Sequence, residues 1–308
     1  MSNFAKRVLV AAVAIPLALG IVWYGGLALA LLVMVAAVLG TRELFDLSQK
    51  AGVRPLRGLG MALAALAPLA TWLIASVPGD YGLSVSGPAP LAGIVELLAM
   101  FPAWLLSQWP LAAALVPIAV LLGVLWKRSP AEHPLAAAAA TLFGPIYCGV
   151  LPSTLLVIRY AAGPNQSWPA TWLVFFPLAI TWLCDSFAMW GGMLIGGPKM
   201  APSISPGKTR AGGIAGLVGG VLTAVLFVPL ALAPMGEAIP LGIAAIMGLI
   251  LAATAQVGDL AESLLKREAG VKDSGSLIPG HGGVLDRLDS LYFVLPMATL
   301  LFRTFRIL

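Results

Sequence analysis

Charged residues are scarce in this sequence: they make up 10% of its 308 residues, against about 25% in typical soluble domains. A soluble globular fold is therefore excluded. Cysteine is scarce too, since only Cys148 and Cys184 occur, both inside apolar runs and without a CxxC spacing. This pattern excludes a disulfide framework and a cysteine-based zinc site.

A complete P-loop is also missing. The run Pro206-Gly207-Lys208-Thr209 has the second half of that pattern, but Pro202 stands where the first glycine is required. Several of the nine Trp residues lie near the ends of apolar segments, where they anchor helices at a membrane interface. Basic residues are scattered in short loops, so nucleic-acid binding has no support.

Long apolar runs dominate the chain, which is 60% hydrophobic with a mean hydropathy of +0.97. We predict an all-α polytopic integral membrane protein with about nine transmembrane helices. Another apolar window, 90–106, contains Glu96 and Pro102 and is interpreted as an interfacial or re-entrant segment. Windows long enough to cross about 30 Å of hydrocarbon occur at 8–24, 26–41, 58–77, 110–126, 135–158, 171–195, 211–233, 239–258 and 284–302.

The polar segments between these windows are too short for a second core. We therefore expect a single membrane domain over residues 1–308, with N-terminal helices up to about residue 130 and a catalytic half from about 135 to 308. The apolar run after Lys6 and Arg7 imitates a signal peptide, but because further spans follow, it is interpreted as an uncleaved first helix.

The basic residues predict the orientation. With the N-terminus inside and 90–106 not crossing, all but three of the 18 Lys and Arg residues lie on the cytoplasmic side, the exceptions being Arg159, Arg303 and Arg306. Two polar loops, 196–210 and 259–287, then face the cytoplasm. We expect a multi-pass protein of a bacterial inner (cytoplasmic) membrane with its active site facing the cytoplasm.

A dense polar cluster follows the eighth window. If its helix continues, Asp259, Ser263, Lys266 and Arg267 share one face, because their spacings are i, i+4, i+7 and i+8. Asp286 and Asp289 form a second acidic pair at i and i+3. Carboxylates meeting at one membrane boundary favour a divalent cation between them, and nearby cations suit a phosphate substrate.

This polar segment resembles the signature of the phosphatidate cytidylyltransferase (CDP-diacylglycerol synthase) family. The resemblance extends upstream to Asp185 and to the run from Ser203 to Thr209, although Gly192, Gly207 and Ala211 depart from the family's usual residues. The signature residues are Ser263-x-x-Lys266-Arg267, Lys272-Asp273, Pro279-Gly280-His281-Gly282-Gly283 and Asp286-Arg287-x-Asp289.

The resemblance implies transfer of CMP from CTP to phosphatidate with release of pyrophosphate, dependent on Mg²⁺ and with room for a second cation. The partners implied are CTP, phosphatidate and membrane lipids, and the many small residues are compatible with a homodimer. The implied catalytic set is Lys266, Arg267, Lys272, Asp273, His281 and Arg287; the substrate-binding set is Ser205, Lys208, Thr209, Ser263 and Asp185; the metal ligands are Asp259, Asp286 and Asp289.

Two further interpretations concern individual residues. The phosphate of phosphatidate is already anionic, so it needs no strong general base, and His281 is interpreted as ordering the loop or contacting phosphate. Glu43, beside Arg42 just past the second window, is interpreted as half of a neutralised boundary pair. Asp185, inside a span, is expected to line a pocket.

Three alternative functions remain open at this stage. A CTP-dependent kinase of a polyprenol-type lipid would transfer the γ-phosphate instead of CMP. A lipid transporter would use the spans and Asp185 but leaves the crowded charges unexplained. A degenerate scaffold of the same fold would account for Gly207 and Ala211.

Overall fold

The computed structural model describes residues 16–75, 109–161, 168–277 and 282–308. The window at 90–106, the start of the first window and His281 lie outside these residues. The described residues are mostly helical, as an apolar chain in lipid requires, because a helix satisfies all its backbone hydrogen bonds internally. Residues 16–24 are helical and precede the named elements.

Ten further α-helices and one two-stranded hairpin follow in chain order within the described residues. The elements are α1 (Gly26–Lys50), α2 (Arg57–Ala75), α3 (Trp109–Lys127), α4 (Pro134–Pro145), α5 (Leu151–Tyr160), α6 (Trp168–Ile195), β1 (Lys199–Ala201), β2 (Ser205–Thr209), α7 (Arg210–Phe227), α8 (Leu241–Glu268), α9 (Leu285–Leu288) and α10 (Leu291–Thr304). Single π-helical turns, Ile146–Val150 and Val228–Leu232, follow α4 and α7.

Within the described ranges, six helical segments are long and apolar enough to cross a membrane. They are Gly26–Lys50, Arg57–Ala75, Pro134–Tyr160, Trp168–Ile195, Arg210–Met235 and Leu241–Glu268. The other three predicted windows overlap the helical residues 16–24, α3 and α10. The chain is thus an all-α, multi-pass membrane protein, as predicted, while the count of nine crossings stays a prediction.

The chain forms two compact units. One consists of Met1–Gln166 and Glu268–Arg287, and the other of Ser167–Arg267 and Leu288–Leu308. The sequence predicted a single membrane domain, with N-terminal helices up to about residue 130 and a catalytic half from about residue 135. This organisation stays a prediction.

In the first unit, Phe45 fixes the end of α1 that carries the polar residues. Its fully buried ring lies against two glycines, and a Cβ added at Gly144 would come within 2.6 Å of it. The backbone N–H of Leu56, just before α2, donates to the hydroxyl of Thr141 at 2.8 Å. The start of α2 is thereby tied to α4.

In the second unit, helices α6, α7 and α8 approach one another through glycine. A Cβ at Gly212 would lie 2.6 Å from the carbonyl oxygen of Ala188, and a Cβ at Gly248 would lie 2.8 Å from that of Gly220. Between membrane helices the hydrophobic effect contributes little, so close backbone packing of small residues stabilises the contact.

We predict that Gly248→Ala lowers the free energy of unfolding by about 1–3 kcal/mol, because the new methyl group meets a backbone carbonyl that cannot move away. Thermal unfolding in detergent measures the change. The matched control is Gly242→Ala on the same helix, where a Cβ meets nothing within 4 Å. Equal stability of the two variants would contradict this account of the packing.

Candidate active site

A short β-hairpin separates α6 from α7. Helix α6 ends at Ile195 because Gly196 and Gly197 adopt positive φ angles of 67° and 91°, which disfavour other residues. In the hairpin, Lys199 pairs with Thr209 and Ala201 with Ser205. The sequence predicted a polar loop at this position, and the structure gives it a defined antiparallel register.

Thr209 ends the hairpin and begins the next helix. Its hydroxyl accepts a hydrogen bond at 3.1 Å from the N–H of Gly212, which caps α7. A Cβ at Gly192 would lie 3.1 Å from the same hydroxyl, so the glycine permits α6 to pass close to the cap. Thr209 therefore has a structural role in addition to its position beside the pocket described next.

A pocket of about 460 Å³ opens in the second unit between the hairpin and helices α6, α7 and α8. Its glycines, among them Gly192, Gly207 and Gly213, expose backbone to any bound group. The polar side chains that line it are Asp185, Lys199, Lys208, Thr209, Gln256 and Asp259. Carboxylates, ammonium groups and free backbone combine here in a way that suits a polyphosphate with its cation.

Asp259 is the centre of the polar contacts. One carboxylate oxygen forms an ion pair with Lys208 Nζ at 2.6 Å, and both side chains are about one-third exposed or less. The hydroxyl of Ser263 donates to the other oxygen at 3.4 Å. The predicted shared helix face of Asp259 and Ser263 is present in α8.

Asp289 lies near Asp259, in the segment that precedes α10. The main chain of this segment comes close to α8, because a Cβ at Gly258 would lie 3.0 Å from the carbonyl oxygen of Asp289. Burial, followed by the nearby carboxylate of Asp259, raises the pKa of Asp289 to about 6. A cation near the two carboxylates would relieve this repulsion.

These carboxylates fit a magnesium ion whose remaining ligands come from substrate. No group of three His, Cys, Asp or Glu side chains among the described residues forms a complete metal site. Mg²⁺ commonly binds through one or two carboxylates together with water and substrate phosphates. Asp259 and Asp289 meet that requirement, and magnesium stays a prediction.

Two predicted phosphate-binding cations have protein partners. Lys266 is largely buried and forms an ion pair with Glu262, which is fully buried one turn earlier in α8. The guanidinium Nε of Arg267 donates at 3.0 Å to the carbonyl oxygen of Ile204, in the turn of the hairpin. Lys266 thus lies in a buried pair, while Arg267 ties α8 to the hairpin.

In the first unit, Asp286 organises the C-terminal polar loop. Its carboxylate accepts hydrogen bonds from the N–H of Ser274 at 2.9 Å, from the hydroxyl of Ser274 at 3.0 Å and from the N–H of Gly283 at 2.8 Å. Lys272, Asp273 and Arg287 are exposed around this loop. Asp286 therefore has loop-ordering contacts in addition to its predicted role as a metal ligand.

The structure thus brings Asp185, Lys208, Thr209 and Asp259 to one pocket. Sequence reasoning missed four residues: Lys199 and Gln256 in the pocket, Glu262 beside Lys266, and Glu43. The i, i+4 spacing of Glu262 and Lys266 was a signal for their pair. Glu43 does not form the expected pair with Arg42, because its carboxylate accepts hydrogen bonds from the C-terminal loop.

Comparisons with known proteins agree with the chemistry of this pocket. A model of the cytidylyltransferase family matches residues 5–305. The chain is 41% identical over 173 residues to a phosphatidate cytidylyltransferase of Brucella abortus, a match that covers 56% of this chain and 57% of the relative. The chain thus spans little more than half the length of this relative in the alignment.

Two other relatives match over larger shares of their length. The chain is 37% identical over 209 residues to a phosphatidate cytidylyltransferase of Rickettsia bellii, covering 67% of this chain and 86% of that protein. It is 28% identical over 313 residues to one of Synechocystis, covering 95% and 94% respectively. The similarity therefore includes the N-terminal helices as well as the polar C-terminal segment.

We predict that Glu262→Gln lowers the free energy of unfolding by about 3–5 kcal/mol, because the largely buried ammonium group of Lys266 loses the carboxylate with which it forms its ion pair. Thermal unfolding in detergent measures the loss. Glu268→Gln, an exposed change on the last turn of the same helix, should stay within about 0.5 kcal/mol of the parent protein. A Glu262→Gln protein as stable as this control would show that the pair contributes little.

Proposed function

The chain belongs to the cytidylyltransferase family, and on this premise we propose that it transfers CMP from CTP to phosphatidate, giving CDP-diacylglycerol and pyrophosphate. The observation that carries the proposal is the pocket in which Asp185, Asp259 and Lys208 lie beside a glycine-rich backbone. The names of the three relatives, all phosphatidate cytidylyltransferases, point to the same substrates.

The reaction joins two anions. A phosphate oxygen of phosphatidate attacks the α-phosphorus of CTP, a new P–O bond forms, and the bond between the α-phosphorus and its bridging oxygen breaks to release pyrophosphate. The attacking oxygen is already negative at neutral pH, so the protein has to position the reactants and neutralise their charge. Lys199 and Lys208 provide positive charge in the pocket.

The ion pair between Lys208 and Asp259 supports this division of roles. The two groups neutralise each other at 2.6 Å. A triphosphate in the pocket offers Lys208 a new partner, and the released carboxylate of Asp259, together with Asp289, then suits a divalent cation. Mg²⁺ bound there supplies neutralisation of the phosphate oxygens and of the departing pyrophosphate.

The place of the reaction is also part of the proposal. The spanning helices make the chain a multi-pass membrane protein, and the distribution of Lys and Arg favours a cytoplasm-facing site in a bacterial inner membrane. A homodimer stays a prediction. The polyprenol kinase and the transporter are not favoured, because the family match and the relatives' names point to cytidylyl transfer.

We expect Asp259→Asn to reduce pyrophosphate release from CTP in the presence of phosphatidate on the order of 100-fold or more, because an amide neither pairs with Lys208 nor neutralises a cation. Purified protein and a coupled pyrophosphate assay measure the rate. Glu268→Gln is the control for a carboxylate-to-amide change on the same helix and should keep the parent rate. Undiminished release by Asp259→Asn would remove this residue from the mechanism.

We also expect activity to disappear when divalent cations are chelated and to return when Mg²⁺ is added in excess, since the carboxylates need a counter-ion to accept a triphosphate. Circular dichroism before and after chelation controls for unfolding. Full turnover by folded protein with chelator present would exclude a divalent cation from the reaction.

A further inference from the structure

Glu43 is a buried carboxylate far from the polar signature in sequence. It lies on α1, where its side chain is 6% exposed. A carboxylate removed from water is costly unless it receives hydrogen bonds or a counter-charge. Among the described residues, no Lys or Arg forms an ion pair with Glu43, so hydrogen-bond donors must stabilise its charge.

Those donors all come from the C-terminal polar loop of the same unit. One oxygen of Glu43, Oε1, accepts from the N–H of Val284 at 3.0 Å. The other, Oε2, accepts from the N–H of Leu285 at 2.8 Å and from the hydroxyl of Ser274 at 3.0 Å. These donors lie 231–242 residues away in the chain, and one side chain thus fixes both ends of the loop.

Two glycines of the loop leave room for this carboxylate. A Cβ added at Gly275 would lie 2.8 Å from Glu43 Oε1, and a Cβ at Gly283 would overlap Glu43 Oε2 and the hydroxyl of Ser274. Any larger side chain at either position would displace the carboxylate or the loop. The glycines and Glu43 therefore form one packed arrangement.

Ser274 couples Glu43 to Asp286. Its hydroxyl oxygen lies 3.0 Å from Glu43 Oε2 and 3.0 Å from Asp286 Oδ2, yet a hydroxyl group has only one proton to donate. A ligand that engages Asp286 leaves this proton to Glu43, whose two backbone hydrogen bonds do not depend on Asp286. The loop thus keeps its anchor when Asp286 turns to another partner.

We infer that Glu43 is a positioning residue, which holds Ser274 on one side of the loop and residues 283–285 on the other so that Asp286 and Arg287 are placed for the reaction. The inference rests on the proposed function and deepens it, because it assigns a role in the reaction to a residue of an N-terminal helix. Glu43 acts through Asp286 and the loop, with whose Ser274 hydroxyl and backbone it forms its hydrogen bonds.

The test compares Glu43→Gln with Asp46→Asn. Glutamine has nearly the same shape, but its NH₂ group faces a backbone N–H that needs an acceptor. Asp46 lies one turn further along α1 and pairs with Arg57 at 2.6 Å, outside the loop. We expect kcat of Glu43→Gln to fall about 10–100-fold, as for other residues that orient functional groups, and Asp46→Asn to keep the parent kcat.

Two further readouts separate positioning from general damage to the fold. The KM values for CTP and phosphatidate of Glu43→Gln should stay close to those of the parent, and circular dichroism should show that the variant is folded. Hydrogen exchange at the amides of Val284 and Leu285 should become about 10-fold faster, because these N–H groups lose a charged acceptor. Unchanged exchange at these amides, or an unchanged kcat, would overturn the inference.

Gly275→Ala is a second variant for the same test if Glu43→Gln folds poorly. Its new methyl group would displace the carboxylate of Glu43 while leaving that residue unchanged. It should also lower kcat and speed exchange at 284–285, and parent-like values of both would likewise overturn the inference. Wild-type protein that forms no CDP-diacylglycerol would reject the proposed function. The exchange measurement would then still decide whether Glu43 anchors the loop.

Discussion

Carboxylates in a largely apolar helix assembly must be neutralised, and each unit of this protein is organised around that constraint. In the second unit, Asp259 pairs with Lys208 and Glu262 with Lys266. In the first unit, Glu43 and Asp286 are stabilised by neutral N–H and O–H donors. The kind of neutralisation differs between the two units: the ion pair of Asp259 lies beside an open pocket, whereas the donors around Glu43 belong to a loop and fix it.

Glycine makes these arrangements possible. It lets α6, α7 and α8 approach closely at Gly212 and Gly248, where the neighbouring atoms are backbone and small side chains. It also opens the pocket wall at Gly192 and Gly213 and leaves space for the carboxylate of Glu43 at Gly275. The same residue type therefore serves helix packing, the shape of the pocket and loop geometry.

Much of the fold and part of the candidate active site could be predicted from local sequence patterns. Hydropathy identified the spanning helices, and helical spacing placed Ser263 beside Asp259, where a hydrogen bond of 3.4 Å joins them. The hairpin was not predicted, because Lys199–Ala201 and Ser205–Thr209 are only 3 and 5 residues long, the second contains Pro206 and Gly207, and neither shows the alternation typical of strands. The bonds of Glu43 could not be predicted, because their partners lie more than 200 residues away and no periodicity connects them.

We propose that the cytidylyl group, and not the γ-phosphate, passes to the lipid. The most direct measurement gives the purified protein phosphatidate and CTP carrying one label in the cytidine and another in the γ-phosphate, and follows both labels into the extracted lipid. The account predicts the cytidine label in the lipid and the γ-label in released pyrophosphate. The γ-label in the lipid, with the cytidine label left in CDP, would contradict it.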